Sequence, residues 1–291
     1  MAAAVVSAVS QWPVRPSTSE SNIEGRIDLI SSSPLFAGLP QQALDKIARL
    51  ARPKAIGRDE VLFMQGQPAR VVALIRAGSI KISQLSSSGN EVILWIYGAG
   101  AVLGTLTDPI SCCYTSSARA LEASTALVWE HETLLDLMKE YPQIRMNASQ
   151  ILAIRLNELE ERFREVATEK VAKRVAFALL RLLKHVGKKV NGGVEVSLSR
   201  EELAQMTGTT LFTISRLISK WGEMGYVLPR RESVIVRDNH MLGMSEDDDI
   251  ENEARPSRGE QNTGRAQLHS MRMYGSSRVN NGVRKPSEAV C

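Results

Sequence analysis

The stretch SREELAQMTGTTLFTISRLISKW at residues 199–221 decides how the C-terminal part of the chain folds. Ser199 and Glu202 form a capping box, in which each side chain can bond the backbone amide of the other residue, so a helix is predicted to begin here. This helix breaks after two turns at Gly208, because glycine is a poor helix former. Two threonines then offer the N-cap of a second helix over residues 211–221. The pair is typical of a helix-turn-helix.

The second helix has an apolar side and a polar side. At about 100° per residue, the apolar side chains that should pack inward are Ile214, Leu217, Ile218 and Trp221. Phe212, Ser215 and Arg216 lie on the opposite side, close to the helix N-terminus, and are the predicted base-contacting residues. Such a helix suits the DNA major groove, where arginine can donate a bidentate pair to guanine O6 and N7.

A short hairpin over residues 227–236 is expected to follow as a β wing, with two arginines at its tip. Hydroxyl and cationic side chains near the helix N-termini and on the wing are suited to phosphate oxygens. The predicted phosphate-contacting residues are Ser199, Arg200, Thr210, Thr213, Arg230 and Arg231.

The distribution of charge supports this interpretation. The whole chain of 291 residues has a net charge of only +4. Residues 171–237 contain twelve Lys and Arg but five Glu, a net charge of +7, whereas residues 27–142 have a net charge of −1. The basic excess therefore belongs to the helix-turn-helix region, as expected for a module that neutralises the phosphates of double-stranded DNA.

Composition excludes several other classes of protein. Three cysteines, with no pair spaced for zinc, predict neither a disulfide scaffold nor a metal site and favour a reducing cytoplasm. No apolar run approaches the ~20 residues of a membrane span, and the N-terminus is not typical of a signal peptide. Because we find no paired nucleophile and base and no phosphate loop, we expect no enzyme and no membrane partner.

Residues 27–142 carry short apolar runs that are separated by glycines. These runs, among them 61–63, 71–75 and 92–97, predict strands at hairpin spacing and hence a small antiparallel barrel or sandwich. The chain as a whole is therefore predicted to be α+β.

A long helix is predicted after Pro142. Its apolar residues recur at steps of three and four and include Leu152, Leu156, Leu159 and Phe163. This stripe either packs on its own domain or pairs with a second copy of the helix. We favour pairing into a homodimer, because the β region already has an alternating core of its own.

Several motifs, taken in this order, resemble the Crp/Fnr family of bacterial transcription regulators over residues 34–238. They are the turn glycines Gly66, Gly78 and Gly89, the segment GAVLG at 100–104, the Tyr141-Pro142 start of the long helix, ELAQMTG at 202–208 and Ser215-Arg216. The resemblance implies a homodimer that senses a signal with a β-roll similar to cyclic nucleotide-binding domains and reads an inverted-repeat operator. RNA polymerase is the further partner that it implies.

The resemblance and the residue patterns together predict five segments. They are a disordered N-terminal tail (1–26), a β-roll sensor (27–142), a dimerisation helix (143–169), a winged helix-turn-helix (170–238) and a disordered C-terminal tail (239–291). The second tail is interpreted as solvated, with an auxiliary contact to DNA or protein as the alternative.

The effector pocket departs from the members that bind cyclic AMP. Those members carry Gly-Glu-Leu for the ribose hydroxyl and a later arginine for the phosphate. Here the corresponding residues are Gly104, Thr105 and Leu106, followed by Tyr114, Thr115 and Ser116 without an arginine, while Leu159 and Glu160 replace polar residues that would meet the adenine. Losing a charge-assisted pair costs about 1.5–3 kcal/mol, so we expect no useful binding of cyclic AMP.

Other sensing chemistries of the family have little support in the sequence. Residues 1–60 contain no cysteine, which excludes the N-terminal iron-sulfur cluster of one branch. Cys112 and Cys113 are interpreted as packing residues, with redox sensing as the alternative. The four histidines are scattered, and no cofactor is predicted.

The recognition helix also differs from the family pattern. Phe212 stands where relatives commonly have a glutamate, and it cannot accept a hydrogen bond from a cytosine amino group. It could cover a thymine methyl instead. An exposed aromatic also leaves open an alternative function, that of an effector-binding or protein-interaction module which no longer controls genes directly.

Overall fold

The computed structural model describes residues 20–106 and 113–237. The expectations for most of the first tail, for Cys112 and for the second tail concern residues outside these ranges. Seven α-helices lie in the described part: α1 (Glu20–Ser32), α2 (Gln41–Leu50), α3 (His131–Glu140), α4 (Pro142–Thr168), α5 (Val171–His185), α6 (Arg200–Thr207) and α7 (Leu211–Glu223). A short 3-10 helix, Pro34–Phe36, links α1 to α2. None of these helices has the combined length and apolarity that crossing a membrane requires.

The fold is α+β. Eight strands precede helix α3: β1 (Arg52–Ile56), β2 (Val61–Phe63), β3 (Val71–Ala77), β4 (Ile80–Leu85), β5 (Glu91–Tyr97), β6 (Val102–Leu103), β7 (Ser117–Ala120) and β8 (Ser124–Glu130). They form two antiparallel sheets, ordered β1-β8-β3-β6 and β2-β7-β4-β5. This confirms the antiparallel β domain.

Strand β3 shows why the apolar run at 71–75 lacks an alternating polar face. Ala73 and Ile75 point into the core between the two sheets. Val72 and Leu74 point the other way, into a second core that the sheet forms with helices α1 to α4. A strand that is covered on both faces has no solvent side, and therefore every position can be apolar.

Three strands of the β domain were not predicted, and each lacks a strong strand signal. Strand β1 contains Pro53. Proline is tolerated there because β1 lies at the edge of its sheet. Strand β6 has two residues, and β7 reads SARA without a branched apolar side chain. Pairing with longer neighbours holds these segments in the sheets.

The expected disordered tail at 1–26 is wrong for residues 20–26, which belong to helix α1. Ile30 is fully buried, and Arg26 is buried with its guanidinium donating to the carbonyl of Ala51. The spacing of Ile23, Ile27 and Ile30 is helical, but it is too short a pattern to compete with the polar residues around it. Packing against α2 stabilises the helix.

The C-terminal part contains helices α5 to α7 and four strands: β9 (Lys188–Val190), β10 (Gly193–Val196), β11 (Val227–Pro229) and β12 (Val234–Val236). The predicted wing is the hairpin of β11 and β12, and β12 also pairs with β10 to give a sheet ordered β11-β12-β10-β9. Trp221 of α7 is fully buried in this domain.

Asn147 connects helix α4 to the N-terminal helices. It is buried, and its amide donates to the carbonyls of Leu35 and Ala37 at 3.0 and 2.9 Å.

Asn147→Leu preserves the shape of the side chain but leaves those carbonyls unpaired. We expect it to lower the free energy of unfolding by about 2–3 kcal/mol, measured by urea denaturation at fixed protein concentration. Ser149→Ala, at an exposed position on the same helix, is the control. A loss no larger than the control's would contradict the role given to Asn147.

Candidate nucleic-acid interface and effector cavity

The capping box at the start of α6 is confirmed. The Ser199 hydroxyl accepts from the Glu202 amide at 3.2 Å, and the Glu202 carboxylate accepts from the Ser199 amide at 2.9 Å. The helix ends as predicted at Gly208, whose φ of +64° is in the left-handed region that glycine adopts most readily. The turn between α6 and α7 is thus specified locally.

Helix α7 begins at a threonine cap. The Thr210 hydroxyl accepts from the Thr213 amide at 3.1 Å, and the two hydroxyl oxygens are 2.9 Å apart. This places both predicted phosphate-contacting hydroxyls at the exposed N-terminus of the helix, where backbone amides and the helix dipole favour an anion.

The two sides of α7 differ as the periodicity predicted. Its four inward apolar residues are buried. On the outer side, Phe212 is 69% exposed, and Ser215 and Arg216 are half-buried. The Arg216 guanidinium carbon lies 5.8 Å from the centre of the Phe212 ring, within cation–π range. The three predicted base-contacting residues therefore share one accessible face, and the aromatic ring restricts the arginine.

The two wing arginines have different surroundings. Arg230 forms an ion pair of 3.2 Å with Glu195, which also accepts a hydrogen bond from Ser233. Arg231 is exposed, and no carboxylate of the described residues pairs with it. A cation without a carboxylate partner interacts more strongly with phosphate, which makes Arg231 the better candidate of the two.

A partly open cavity of about 430 Å³ lies between the β domain and helix α4. All six residues predicted for the effector pocket line it: Gly104, Thr105, Leu106, Tyr114, Thr115 and Ser116. Aromatic rings supply much of the wall, and Phe63 is stacked on Tyr114 with ring centres 4.0 Å apart. The six residues thus surround one cavity, and its use as an effector pocket stays a prediction.

Tyr114 lines the cavity and also stabilises the fold through its hydroxyl group. Its hydroxyl accepts from the amides of Arg70 and Val71 at 3.1 and 2.8 Å and donates to the Val71 carbonyl at 3.0 Å. Burial raises the pKa of the Tyr114 phenol, so the ring stays neutral at physiological pH. The hydroxyl therefore has no free donor for a ligand.

Helix α4 contributes residues to the cavity that the sequence did not indicate. Leu159, expected to replace a residue that meets the adenine, is exposed and is not part of the lining, whereas Leu152 and Arg155 are. The Arg155 guanidinium lies 5.0 Å from the Tyr97 ring centre and donates to the Val102 carbonyl. Among the lining residues that the structure describes, Arg155 alone is charged.

A periodic signal for this inward side was present. Residues 144, 148, 151, 155, 158, 162 and 165 follow steps of three and four. The first three are apolar and the last four are charged, so the sequence pattern of the charged half does not distinguish it from a solvent-facing side. Glu165 is nevertheless buried and forms an ion pair of 2.6 Å with Arg181 of α5.

Comparison with known proteins agrees with both halves of this architecture. Residues 53–141 match the cyclic nucleotide-binding domain family, and residues 173–243 match the Crp-like helix-turn-helix domain family. The chain belongs to the Crp/Fnr family of transcription regulators. DNA binding through the helix-turn-helix is thus a property of the family to which this regulator belongs.

Two relatives illustrate the similarity in sequence. The chain is 24% identical to a CRP-like cAMP-activated global transcriptional regulator of Mycobacterium tuberculosis, covering 74% of this chain and 97% of that one. It is 27% identical to the cyclic AMP receptor protein of Thermus thermophilus, covering 73% and 96%. The first of these relatives is a transcription regulator.

Solved structures show the same fold. FixK2 from Bradyrhizobium japonicum aligns with a TM-score of 0.59 at 21% identity, over 66% of this chain and 95% of that one. The c-di-GMP responsive regulator CLP of Xanthomonas campestris aligns with a TM-score of 0.60 at 19% identity, over 68% and 100%.

Proposed function

We propose that this regulator is a homodimer that reads an inverted-repeat operator and whose β-roll cavity takes an effector other than cyclic AMP. The observation that carries the DNA-binding part is the exposed outer face of α7, with Phe212, Ser215 and Arg216 together on a domain of net charge +7. Arg216 reads a guanine. Because its contact with the Phe212 ring already restricts its rotamers, the arginine loses less conformational entropy when it binds DNA.

Phe212 changes the operator at one position. An exposed phenyl ring packs well on a thymine methyl but cannot accept a hydrogen bond from cytosine. The half-site therefore keeps the guanine read by Arg216 and differs at the pair that a glutamate would read. The residues that contact phosphates are Ser199, Arg200, Thr210, Thr213, Arg230 and Arg231. Because its target is chromosomal DNA, the protein acts in the cytoplasm. RNA polymerase is its further partner.

Selection of binding sites from random DNA tests this specificity. We expect a palindrome whose half-site has an invariant guanine and a thymine, not a cytosine, at the pair facing Phe212. On that site Arg216→Ala should cost about 1–3 kcal/mol and relax the guanine position. Arg231→Ala should weaken all sequences alike and reduce the slope of log affinity against log salt by about one.

The same measurements distinguish the alternative function. The exposure of Phe212 also suits a protein-contact surface, and in that case no DNA sequence would be enriched and the regulator's own promoter region would give no salt-dependent gel shift. Enrichment of a site that requires cytosine opposite Phe212 would contradict the assignment of that residue while leaving DNA binding intact.

The dimer is supported by the outer stripe of α4. Its apolar side chains are exposed in the single chain: Leu152 (38%), Leu156 (55%), Leu159 (44%), Phe163 (76%) and Val166 (55%). A contiguous apolar stripe of this length on a helix whose neighbouring side is already packed needs a cover, and a second copy of the same stripe is self-complementary.

Phe163→Glu should abolish the dimer, because it places a charge in an apolar seam. We expect the mass measured by analytical ultracentrifugation to fall to that of one chain and affinity for the palindrome to fall about 100-fold or more, since two linked half-sites are no longer bound together. Asn157→Glu adds the same charge on another face of α4 and should leave the dimer intact. A dimeric Phe163→Glu protein would contradict this interface.

The cavity has the wrong groups for cyclic AMP in its described lining. Thr105 and Leu106 offer no carboxylate to a ribose hydroxyl, and Thr115 and Ser116 offer no cation to a phosphate. The one cation of the described lining, Arg155, comes from helix α4 instead.

We expect titration calorimetry to show no binding of cyclic AMP at micromolar concentrations, with the Thermus thermophilus receptor as the positive control. A micromolar dissociation constant would overturn this expectation.

A further inference from the structure

Strand β5 contacts both the effector cavity and the DNA-binding domain. Trp95 and Tyr97 line the cavity. The strand lies at the edge of its sheet, so one row of its backbone groups has no partner strand. Beyond its end, Gly98 approaches α5 so closely that a Cβ there would lie 2.6 Å from the His185 carbonyl oxygen. The segment around β5 therefore lies against both the cavity and helix α5 of the C-terminal domain.

Arg162 of α4 joins these parts through one guanidinium. Its central carbon lies 4.9 Å from the centre of the Trp95 ring. Its Nη2 donates to the carbonyl of Ile93 on β5 and to the carbonyl of Met206 on α6, both at 3.3 Å. A single side chain thus contacts the cavity wall, the sheet edge and the first helix of the helix-turn-helix.

Both carbonyls need a donor from outside their own element. Ile93 belongs to an edge strand, and Met206 lies in the last turn of α6, where carbonyls have no partner within the helix. A cation is favourable at the C-terminal end of a helix, because that end carries partial negative charge. Arg162 therefore donates to one carbonyl of the β domain and one of the helix-turn-helix, neither of which is paired within its own element.

The guanidinium is largely withdrawn from water. Burial, together with the nearby charge of Arg181, lowers its pKa to about 10, which still leaves the guanidinium charged at neutral pH. By contrast, the ion pairs Arg58–Glu232 and Lys188–Glu122, which also link the two domains, have their cations more than half exposed. Such surface pairs contribute little, so the contacts of Arg162 and the buried Glu165–Arg181 pair are the stronger candidates for fixing the relative placement of the domains.

We infer that Arg162 is a positioning residue for DNA binding, which holds α6 in place and connects it through Trp95 to the cavity wall. This inference rests on the proposed DNA-binding function. The outer face of α7 is exposed while the contact is made, so the contact is compatible with a bound operator. An effector that moves Trp95 then changes the support of α6 without touching the DNA-binding residues.

Arg162→Met tests this role, because methionine keeps an unbranched apolar stem but donates no hydrogen bond. We expect affinity for the selected operator, measured by fluorescence anisotropy without added effector, to fall about tenfold. Arg164→Met removes an exposed cation two residues away on the same helix and should change affinity less than twofold. Unchanged or tighter binding by Arg162→Met would overturn the inference.

Two further measurements separate positioning from general destabilisation. Arg162→Lys retains the cation and should recover most of the affinity that Arg162→Met loses. Trp95→Leu should also weaken binding, and the double variant should bind no more weakly than Arg162→Met alone, because both side chains act through one contact. Additive losses, or failure of lysine to rescue, would contradict the proposed route.

Hydrogen exchange locates the effect. We expect amides at residues 204–209 to exchange faster in Arg162→Met, with protection of the β3 and β8 core unchanged. Weaker binding without faster exchange there would contradict the positioning role. Failure of the proposed function is distinguishable, since the unmodified protein would then enrich no operator, whereas an operator bound equally by both proteins overturns this inference alone.

Discussion

A helix of 27 residues that lies against two domains must bury one continuous side, and in α4 that side changes from apolar to charged halfway along. Ile144 and Ala148 pack into the β domain core, whereas Arg155, Arg162 and Glu165 face strands and helices that offer carbonyls, rings and a partner cation. The charged half binds neighbouring elements by directional contacts. The charged half can therefore specify the orientation of the strands and helices that it contacts. An apolar stripe does this less well, because apolar contacts are not directional.

The adjacent stripe of α4 has the opposite character and a different consequence. Leu156 and Phe163 are exposed in one chain, although they have the spacing of a packed seam. Because the charged stripe is already committed to the chain's own domains, the apolar stripe is free for a second copy. The cavity, the contact between the domains and the proposed dimer seam thus all lie along one helix. A change at the cavity wall is therefore close to the domain contact and to the dimer seam.

The described lining of the cavity brings together residues from several elements of the fold. The segments around β6 and β7 bring Thr105, Leu106, Thr115 and Ser116 to one wall, and Tyr114 is fixed there by three hydrogen bonds to the backbone of residues 70 and 71. Aromatic side chains and one arginine from α4 complete it. The described lining thus combines apolar and aromatic side chains with hydroxyl, amide and guanidinium groups, a mixture that is typical of small-ligand pockets.

The amino-acid sequence by itself determined the local features: the capping box at Ser199, the turn at Gly208, the two sides of α7 and the basic charge of its domain. These depend on residues within a turn or two of each other, so spacing is sufficient. Only the tertiary structure decided which charged residues of α4 face inward, why residues 20–26 are helical and which weak segments become strands. Those outcomes depend on partners far away in the chain, because a carbonyl, a ring or a sheet edge is available to a side chain only after the fold has brought it near.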